Sequence, residues 1–156
     1  MNKFFSSIAI VLSLFASLQQ VQANLIEYDL DSPEHRLFLK TNPVIMKVGD
    51  QLRLVVNENP TTGFVWIYRC LAKSSEEAVF KVVEETYRRD IVPYEELTGM
   101  TMSGVGGTKI LTLEATKKGS DNFQMANARP WEFSGFEQYS AENDDYFYQD
   151  IRITVQ

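Results

Sequence analysis

The sequence predicts an all-β fold, a sandwich of two packed sheets, and three observations support this prediction. Short segments with an apolar residue at every second position recur along the chain. Turn-forming residues separate these segments, and nothing between them has the length or the 3.6-residue apolar period of a crossover helix. Strands that follow one another without intervening helices are typical of sandwiches.

The strand-like segments can be assigned in chain order. We expect a first strand somewhere within 36–48, followed by six further strands. These six lie at 52–57, 64–71, 79–87, 109–116, around Phe123 and Met125, and at 151–155. About seven short strands is the number expected of an immunoglobulin-like β-sandwich.

Two of these segments have features that predict their place in the sheets. The segment 64–71 is apolar at both parities except for Arg69, which predicts a central strand that carries Trp66 into the core. The charged positions of 79–87 predict an outer strand. Helical pattern is weak, and only 74–78 and 93–97 are expected to form single turns.

Residues 1–23 are predicted to be a signal peptide. Lys3 precedes an uncharged apolar run at 4–18, and Val21 and Ala23 suit cleavage after Ala23. The run is shorter than the roughly 20 apolar residues of a membrane-spanning helix. We therefore expect a single domain at 24–156 that enters the secretory pathway, with secretion, a lysosome-like compartment and a bacterial periplasm as open destinations.

The composition excludes several classes of partner. The formal net charge is −6, and it becomes −7 when the positive charge of Lys3 is removed with the signal peptide. Such a domain lacks the Lys/Arg surface needed to bind nucleic acid or an anionic membrane. Cys70 is the single cysteine, so no intrachain disulfide can form and the sheet core must supply the stability. We expect a monomer without a cofactor or metal ion.

The first of three candidate binding loops consists of Asn59, Pro60, Thr61, Thr62 and Gly63. Pro60 fixes its own φ and restricts the residue before it. The β-branched threonines are stiff at χ1, and Gly63 permits positive φ. This combination predicts a preformed loop between two strands, although the motif alone also fits an ordinary connection.

The other two loops differ from the first in chemistry. The second consists of Gly104, Val105, Gly106 and Gly107, and the third of Arg129, Pro130 and Trp131. No Gly-Lys-Ser/Thr sequence or helix follows the second loop, so nucleotide binding is not predicted, but its glycines allow another backbone to approach closely. Trp131 lies outside the alternating pattern and is expected to be exposed, as an interface hot spot would be.

Together and in this order, the three motifs resemble the chagasin family of cysteine protease inhibitors. The hallmarks of that family are an Asn-Pro-Thr-Thr-Gly loop, a Gly-x-Gly-Gly loop and an Arg-Pro-Trp loop. The resemblance covers the chain from about Val44 to Val155. It implies an immunoglobulin-like fold, no enzymatic activity, and reversible, tight inhibition of papain-type (cathepsin-like) cysteine proteases.

The resemblance also implies a role for each loop. The threonines 61–62 would form the tip of a wedge pushed against the catalytic cysteine and histidine of the protease. The loop 104–107 would lie on the non-primed side of the cleft, and Trp131 would pack on the primed side. Family members commonly have a bulky apolar residue directly before the first glycine, whereas this chain has Ser103 there and Met102 one step earlier. This difference is expected to affect target preference.

An enzyme is one alternative that the sequence leaves open. Cys70 and His35 are the ingredients of a thiol nucleophile and its base. An apolar strand is expected around Cys70, however, and a solvated loop around His35. Adjacent acidic residues are expected to point to opposite faces and to act as solvated charge, at 84–85, 95–96 and 144–145.

Two further alternatives concern binding. The acidic, tyrosine-rich segment 137–150 is expected to be a mobile loop rather than a calcium site. An immunoglobulin-like adhesion or carbohydrate-binding module would use the same three loops on another ligand. Such an adhesion or carbohydrate-binding module is the alternative to the function of a protease inhibitor.

Overall fold

The computed structural model describes residues 23–72, 74, 76–139 and 147–156. These residues form eight strands and two short α-helices. The strands are β1 (Leu25–Asp29), β2 (Val44–Met46), β3 (Gln51–Glu58), β4 (Val65–Cys70), β5 (Phe80–Arg89), β6 (Gly107–Ala115), β7 (Gly119–Ala128) and β8 (Tyr148–Val155). The helices are α1 (Pro33–Thr41) and α2 (Pro93–Thr98), and 3-10 turns lie at Pro60–Thr62 and Phe136–Gln138.

The strands form two four-stranded sheets that pack face to face, which confirms the all-β sandwich. The first sheet has the order β1-β3-β6-β5 and the second has the order β2-β8-β7-β4. β1 pairs with β3 and β2 with β8 in parallel, while the other neighbours are antiparallel. This is the immunoglobulin-like arrangement expected from the sequence.

The core lies between the sheets and follows the alternating pattern of the sequence. Every second residue of β3, β6 and β8 points inward. The buried positions are Leu52, Leu54 and Val56 of β3, Leu111, Leu113 and Ala115 of β6, and Ile151, Ile153 and Val155 of β8. Trp66 is also buried, as expected from its segment.

The strand expected somewhere within 36–48 is β2, but it is the second strand of the chain, and residues 33–41 form the helix α1, which was not expected. The helix begins where the Ser32 side chain accepts a hydrogen bond from the His35 N–H (3.4 Å), with Pro33 in the first turn. His35 is therefore a helix residue rather than a loop residue, and its ring packs edge-on against Tyr28 of β1. β1 itself was not expected.

The place of β4 also differs from the expectation. β4 is an edge strand of the second sheet and not a central one. Its second apolar face is explained by the segment 133–139, which covers the outer face of this sheet and packs against Ile67. Arg69 lies 4.6 Å from the centre of the Phe136 ring and pairs with Glu137 at 2.9 Å. A strand can thus be buried on both faces without having a neighbour on each side.

The outer strand and the two short turns expected from the sequence can be compared with the structure. β5 is an edge strand of the first sheet and α2 covers the expected turn at 93–97, so both predictions are confirmed. The turn at 74–78 is closed by the Glu77 N–H bonded to the Ser74 carbonyl at 3.1 Å.

The predicted signal peptide lies outside the described residues except for residue 23. Among the described helices, none has the length and hydropathy to cross a membrane.

Candidate inhibitory loops at one end of the sandwich

The structure brings the three predicted loops to one end of the sandwich. The strand ends that carry them are paired there: Glu58 lies opposite Gly107, and Val65 lies opposite Ala128. The first loop also crosses from β3 of the first sheet to β4 of the second. This end of the molecule is therefore built from both sheets.

The first loop is a 3-10 turn fixed by its own hydrogen bonds. The Thr62 N–H donates to the Asn59 carbonyl (3.1 Å) and the Gly63 N–H to the Pro60 carbonyl (2.9 Å). The hydroxyl of Thr62 also donates to the Asn59 carbonyl, and that of Thr61 to the Asn59 side-chain oxygen. Gly63 has φ of +84°, which a residue with a side chain rarely adopts. Thr61 and Thr62 are exposed at the tip of a preformed loop.

Glu58 closes the base of this loop, and the sequence analysis did not identify it. Its buried carboxylate accepts a hydrogen bond from the Trp66 backbone N–H at 2.6 Å. Lys109 Nζ lies 3.8 Å from the same carboxylate oxygen and 2.7 Å from Glu85 Oε1. The two ends of the first loop are thus joined through a side chain, because β3 and β4 belong to different sheets.

The second loop is attached to the first. The Asn59 side-chain amide donates to the Gly104 carbonyl at 3.0 Å, and the Asp90 N–H donates to the Gly106 carbonyl at 3.0 Å. A Cβ on Gly107 would lie 2.3 Å from the Arg88 carbonyl oxygen, so only glycine fits there. The close backbone approach expected of these glycines is made by this chain's own strands. Gly107 is buried in β6, whereas Gly104 is exposed.

An ion pair between the partly exposed Arg89 and the buried Glu95 holds the long connection from β5 to the second loop. Both Arg89 guanidinium nitrogens Nη1 and Nη2 bind the Glu95 carboxylate, at 2.8 and 2.6 Å. Glu95 also accepts from the Met102 N–H, and Arg89 donates to the Met102 carbonyl. The hydrogen bond from Arg89 and that from Met102 lower the pKa of Glu95 to about 2. We call this arrangement of Arg89, Glu95 and Met102 the loop clamp.

The loop clamp shows that not all of the adjacent acidic residues act as solvated charge, as was expected. Glu96 is exposed as expected, but Glu95 is buried rather than solvated. Glu84 and Glu85 do point to different partners: Glu84 binds the Thr112 hydroxyl and Glu85 binds Lys109. The pair 144–145 lies outside the described residues.

The third loop packs beside the first. Trp131 is 71% exposed, which confirms the expectation from the sequence. A Cβ on Gly63 would lie only 2.5 Å from Cη2 of the Trp131 ring, so the indole lies directly against this glycine. Arg129 stacks on the exposed Phe64 ring, 4.7 Å from its centre, and pairs with Glu132 at 3.2 Å. The exposed indole of the third loop therefore contacts the first loop at Gly63.

The residues considered for other activities do not form a site. His35 of α1 contacts Asp29 and Tyr28 of β1. Cys70 ends β4 and packs against the core, where burial raises the pKa of its thiol. No group of three or more potential metal ligands occurs among the residues that the structure describes.

The acidic segment considered as a loop or a calcium site is described only at its ends. Residues 140–146 lie outside the described part of the chain. The expected loop extends too far, because its last three residues belong to β8, which begins at Tyr148. Asp150 is bonded to the amides of Asn122 and Gln124, at 2.7 and 3.0 Å, within the second sheet.

The clamp predicts a pH-dependent stability that Glu95→Gln should remove. The pKa of Glu95 is about 2 in the folded protein, below its ordinary value of 4.5. A lowered pKa means that the carboxylate stabilises the fold fully above about pH 4.5 and loses this contribution as the pH falls toward about 2. We expect Glu95→Gln to be less stable than the wild type at pH 7, with a difference that shrinks between pH 4.5 and 2.

Urea denaturation across this pH range measures the difference, and Glu96→Gln is the matched control because Glu96 is exposed. Amide hydrogen exchange at Met102 should accelerate in Glu95→Gln alone. Equal stability of Glu95→Gln and wild type at pH 7, or a difference that does not change with pH, would contradict the role of the clamp.

Comparisons with known proteins identify a family and several similar folds. The model of the family described as Chagasin family peptidase inhibitor I42 matches residues 45–148. Comparison with curated protein sequences finds no match. Among solved structures, the cysteine protease inhibitor EhICP2 from Entamoeba histolytica has a TM-score of 0.57 and 15% identity, covering 86% of this chain and 98% of its own.

Two more structures are similar. The solution structure of Amebosin has a TM-score of 0.52 and 20% identity, covering 85% of this chain and 98% of its own. The structure named Leishmania mexicana ICP has a TM-score of 0.46 and 20% identity, covering 74% of this chain and 89% of its own. Because the family match spans most of the sandwich, the chain belongs to the chagasin family of cysteine protease inhibitors, and it is an inhibitor rather than an enzyme.

Proposed function

We propose that this protein inhibits papain-type cysteine proteases by filling the active-site cleft with its three loops. The observation that carries the proposal is the mutual attachment of these loops. Asn59 joins the first loop to the second, and the contact of Gly63 with Trp131 joins the first to the third. They therefore form one continuous binding surface rather than three separate loops.

The first loop is the wedge. Its threonines project from a turn whose backbone is already fixed, so little conformational entropy is lost when it enters a cleft. A loop held at both ends by strands also resists distortion toward a transition state, which protects it from cleavage. Inhibition then needs no covalent bond and is reversible.

The other loops extend the contact on either side of the wedge. The exposed backbone at Gly104 lies along the non-primed side of the cleft, and Met102 and Ser103 lead into it. Trp131 lies on the primed side against an aromatic residue of the enzyme. An interface of standard size, about 800 Å² per partner, with an aromatic anchor is sufficient for nanomolar affinity, about −12 kcal/mol.

The protein acts in the secretory pathway or in a compartment reached from it. The apolar N-terminal segment 1–23 supports this as a signal peptide. The loop clamp is compatible with an acidic compartment, because the low pKa of Glu95 keeps the clamp ionised at mildly acidic pH. Residues 24–156 form the inhibitor.

The direct test is a titration of papain with the purified protein while peptide hydrolysis is followed. We expect competitive, stoichiometric inhibition, with intact inhibitor recovered from the complex. Failure to inhibit papain and a panel of related cathepsins at micromolar concentration would overturn the proposal.

Trp131→Ala should weaken the complex more than it affects the fold. The indole is mostly exposed, so its loss removes contact with the enzyme and little core packing. For an aromatic hot spot we expect an increase in the inhibition constant of roughly 30-fold, about 2 kcal/mol. Trp131→Phe should recover part of the affinity. An unchanged inhibition constant, with an unchanged melting temperature, would exclude Trp131 from the interface.

Thr62→Ala tests whether the rigidity of the wedge matters. The hydroxyl donates to the Asn59 carbonyl and accepts from the Phe64 N–H, and alanine loses both bonds. We expect a roughly tenfold weaker complex, mostly through faster dissociation, because the loop must then be ordered on binding. Thr62→Ser keeps the hydroxyl and should remain within about threefold of the wild type. Equal dissociation rates for wild type and Thr62→Ala would refute this role.

A further inference from the structure

The connection between β5 and β6 exposes apolar side chains that the three loops do not explain. Among the residues that the structure describes, it carries four large exposed apolar side chains within ten positions, ahead of Met102 and the second loop. They are Ile91, Tyr94, Leu97 and Met100. Leu97 is 85% exposed, more than Trp131. Large exposed apolar patches on a protein surface mark interaction sites. We call these four side chains the apolar patch.

The patch is carried by ordered backbone. Within α2, Tyr94 and Leu97 are three residues apart and share a face, while Glu95 points away from it into the loop clamp. The helix ends at Gly99, whose φ is +69° and whose N–H donates to the Glu95 carbonyl at 2.8 Å. One buried carboxylate thus fixes the helix that presents these side chains to solvent.

The position of the patch indicates what covers it. Met102 is held by the clamp on its N–H and its carbonyl and is followed directly by Ser103 and Gly104. The Gly104 carbonyl accepts from Asn59 of the wedge loop. A protease that contacts the wedge and the second loop therefore lies beside the patch, so the patch continues the proposed interface.

The charge of the segment disfavours other occupants. Residues 90–106 contain no Lys or Arg and three acidic residues, Asp90, Glu95 and Glu96. An anionic membrane surface would be repelled. In a symmetric dimer the same surface patch meets itself, which would bring the exposed carboxylates of two acidic chains together. An apolar surface on an enzyme has neither problem.

We propose that the apolar patch is a second contact on the target protease, outside the three loops, and that it binds an apolar surface beside the non-primed end of the cleft. The inference rests on the proposed function, because the three loops bring the enzyme to this position. The patch determines which papain-type proteases are inhibited tightly, since the wedge contacts groups that all of them share.

Substitution of Leu97 tests the contact. Inhibition constants and dissociation rates of wild type and Leu97→Glu are measured on papain and several cathepsins. We expect Leu97→Glu to weaken the complex with the most tightly inhibited enzyme on the order of tenfold or more, through faster dissociation. Leu97→Met keeps an apolar side chain and should stay within about twofold of the wild type. Unequal losses across the panel are expected.

Val48→Glu is the matched control. Val48 is an exposed apolar residue in the turn before β3, at the opposite end of this strand from the first loop. We expect its inhibition constants to equal those of the wild type, with circular dichroism showing all variants folded. A photo-crosslinking amino acid at position 97, and not at position 48, should join the inhibitor to the protease.

The outcomes separate this inference from the proposed function. If the wild type inhibits the panel and Leu97→Glu inhibits equally well without crosslinking from position 97, the second contact is wrong and the inhibitor remains. If sedimentation shows a dimer that Leu97→Glu dissociates with unchanged inhibition, the patch is a self-interface and the inference is overturned. If the wild type inhibits no enzyme of the panel, the proposed function fails and this inference fails with it.

Discussion

The Glu58 carboxylate is the contact on which the loop-bearing end of the sandwich depends. The chain leaves the first sheet at Glu58 and enters the second at Val65, so no ladder of backbone hydrogen bonds joins the two strand ends. The bond from the Trp66 N–H to Glu58 replaces that ladder. Lys109 compensates the buried charge and also pairs with Glu85, which accepts from the Tyr68 hydroxyl. Burial and this bond raise the pKa of Tyr68 to about 12. A series of polar contacts thus links the two sheets.

The charged groups of Glu58 and Lys109 fix the geometry of the first loop more than they stabilise the fold. Burying a carboxylate and an ammonium group costs free energy that their attraction offsets only in part, and an apolar pair could fill the same volume. An apolar side chain at position 58, however, could not accept the Trp66 N–H, which would leave the bond from Trp66 Nε1 to the Asn57 carbonyl (3.0 Å) to join the two strand ends. The sandwich core, formed by Leu52, Leu113 and their neighbours, can supply the stability. The charges therefore set where the wedge loop begins and ends.

The sequence predicted those parts of the molecule whose signals are local. Alternation located β3, β6 and β8, and the three motifs located the loops. The helix α1 was missed because its apolar residues Leu37, Phe38 and Leu39 are consecutive and show no helical period. Glu58 and Glu95 could not be assigned, because their partners Trp66 and Met102 are joined to them only by folding. Likewise, a strand apolar on both faces does not reveal that a later segment covers it at a sheet edge.

Under the proposed function, the attachment of the loops explains how family-wide inhibition and individual target choice can coexist in one small surface. The first loop is fixed to both others, through Asn59 and Gly63, so a change within it would disturb all three. The segment 90–103 has its own anchor in the Arg89–Glu95 pair, which holds it without help from exposed side chains. Those side chains are therefore free to vary while the wedge keeps its shape. On the proposed contacts, a surface divided in this way can change its preferred enzyme while the first loop still blocks the cleft.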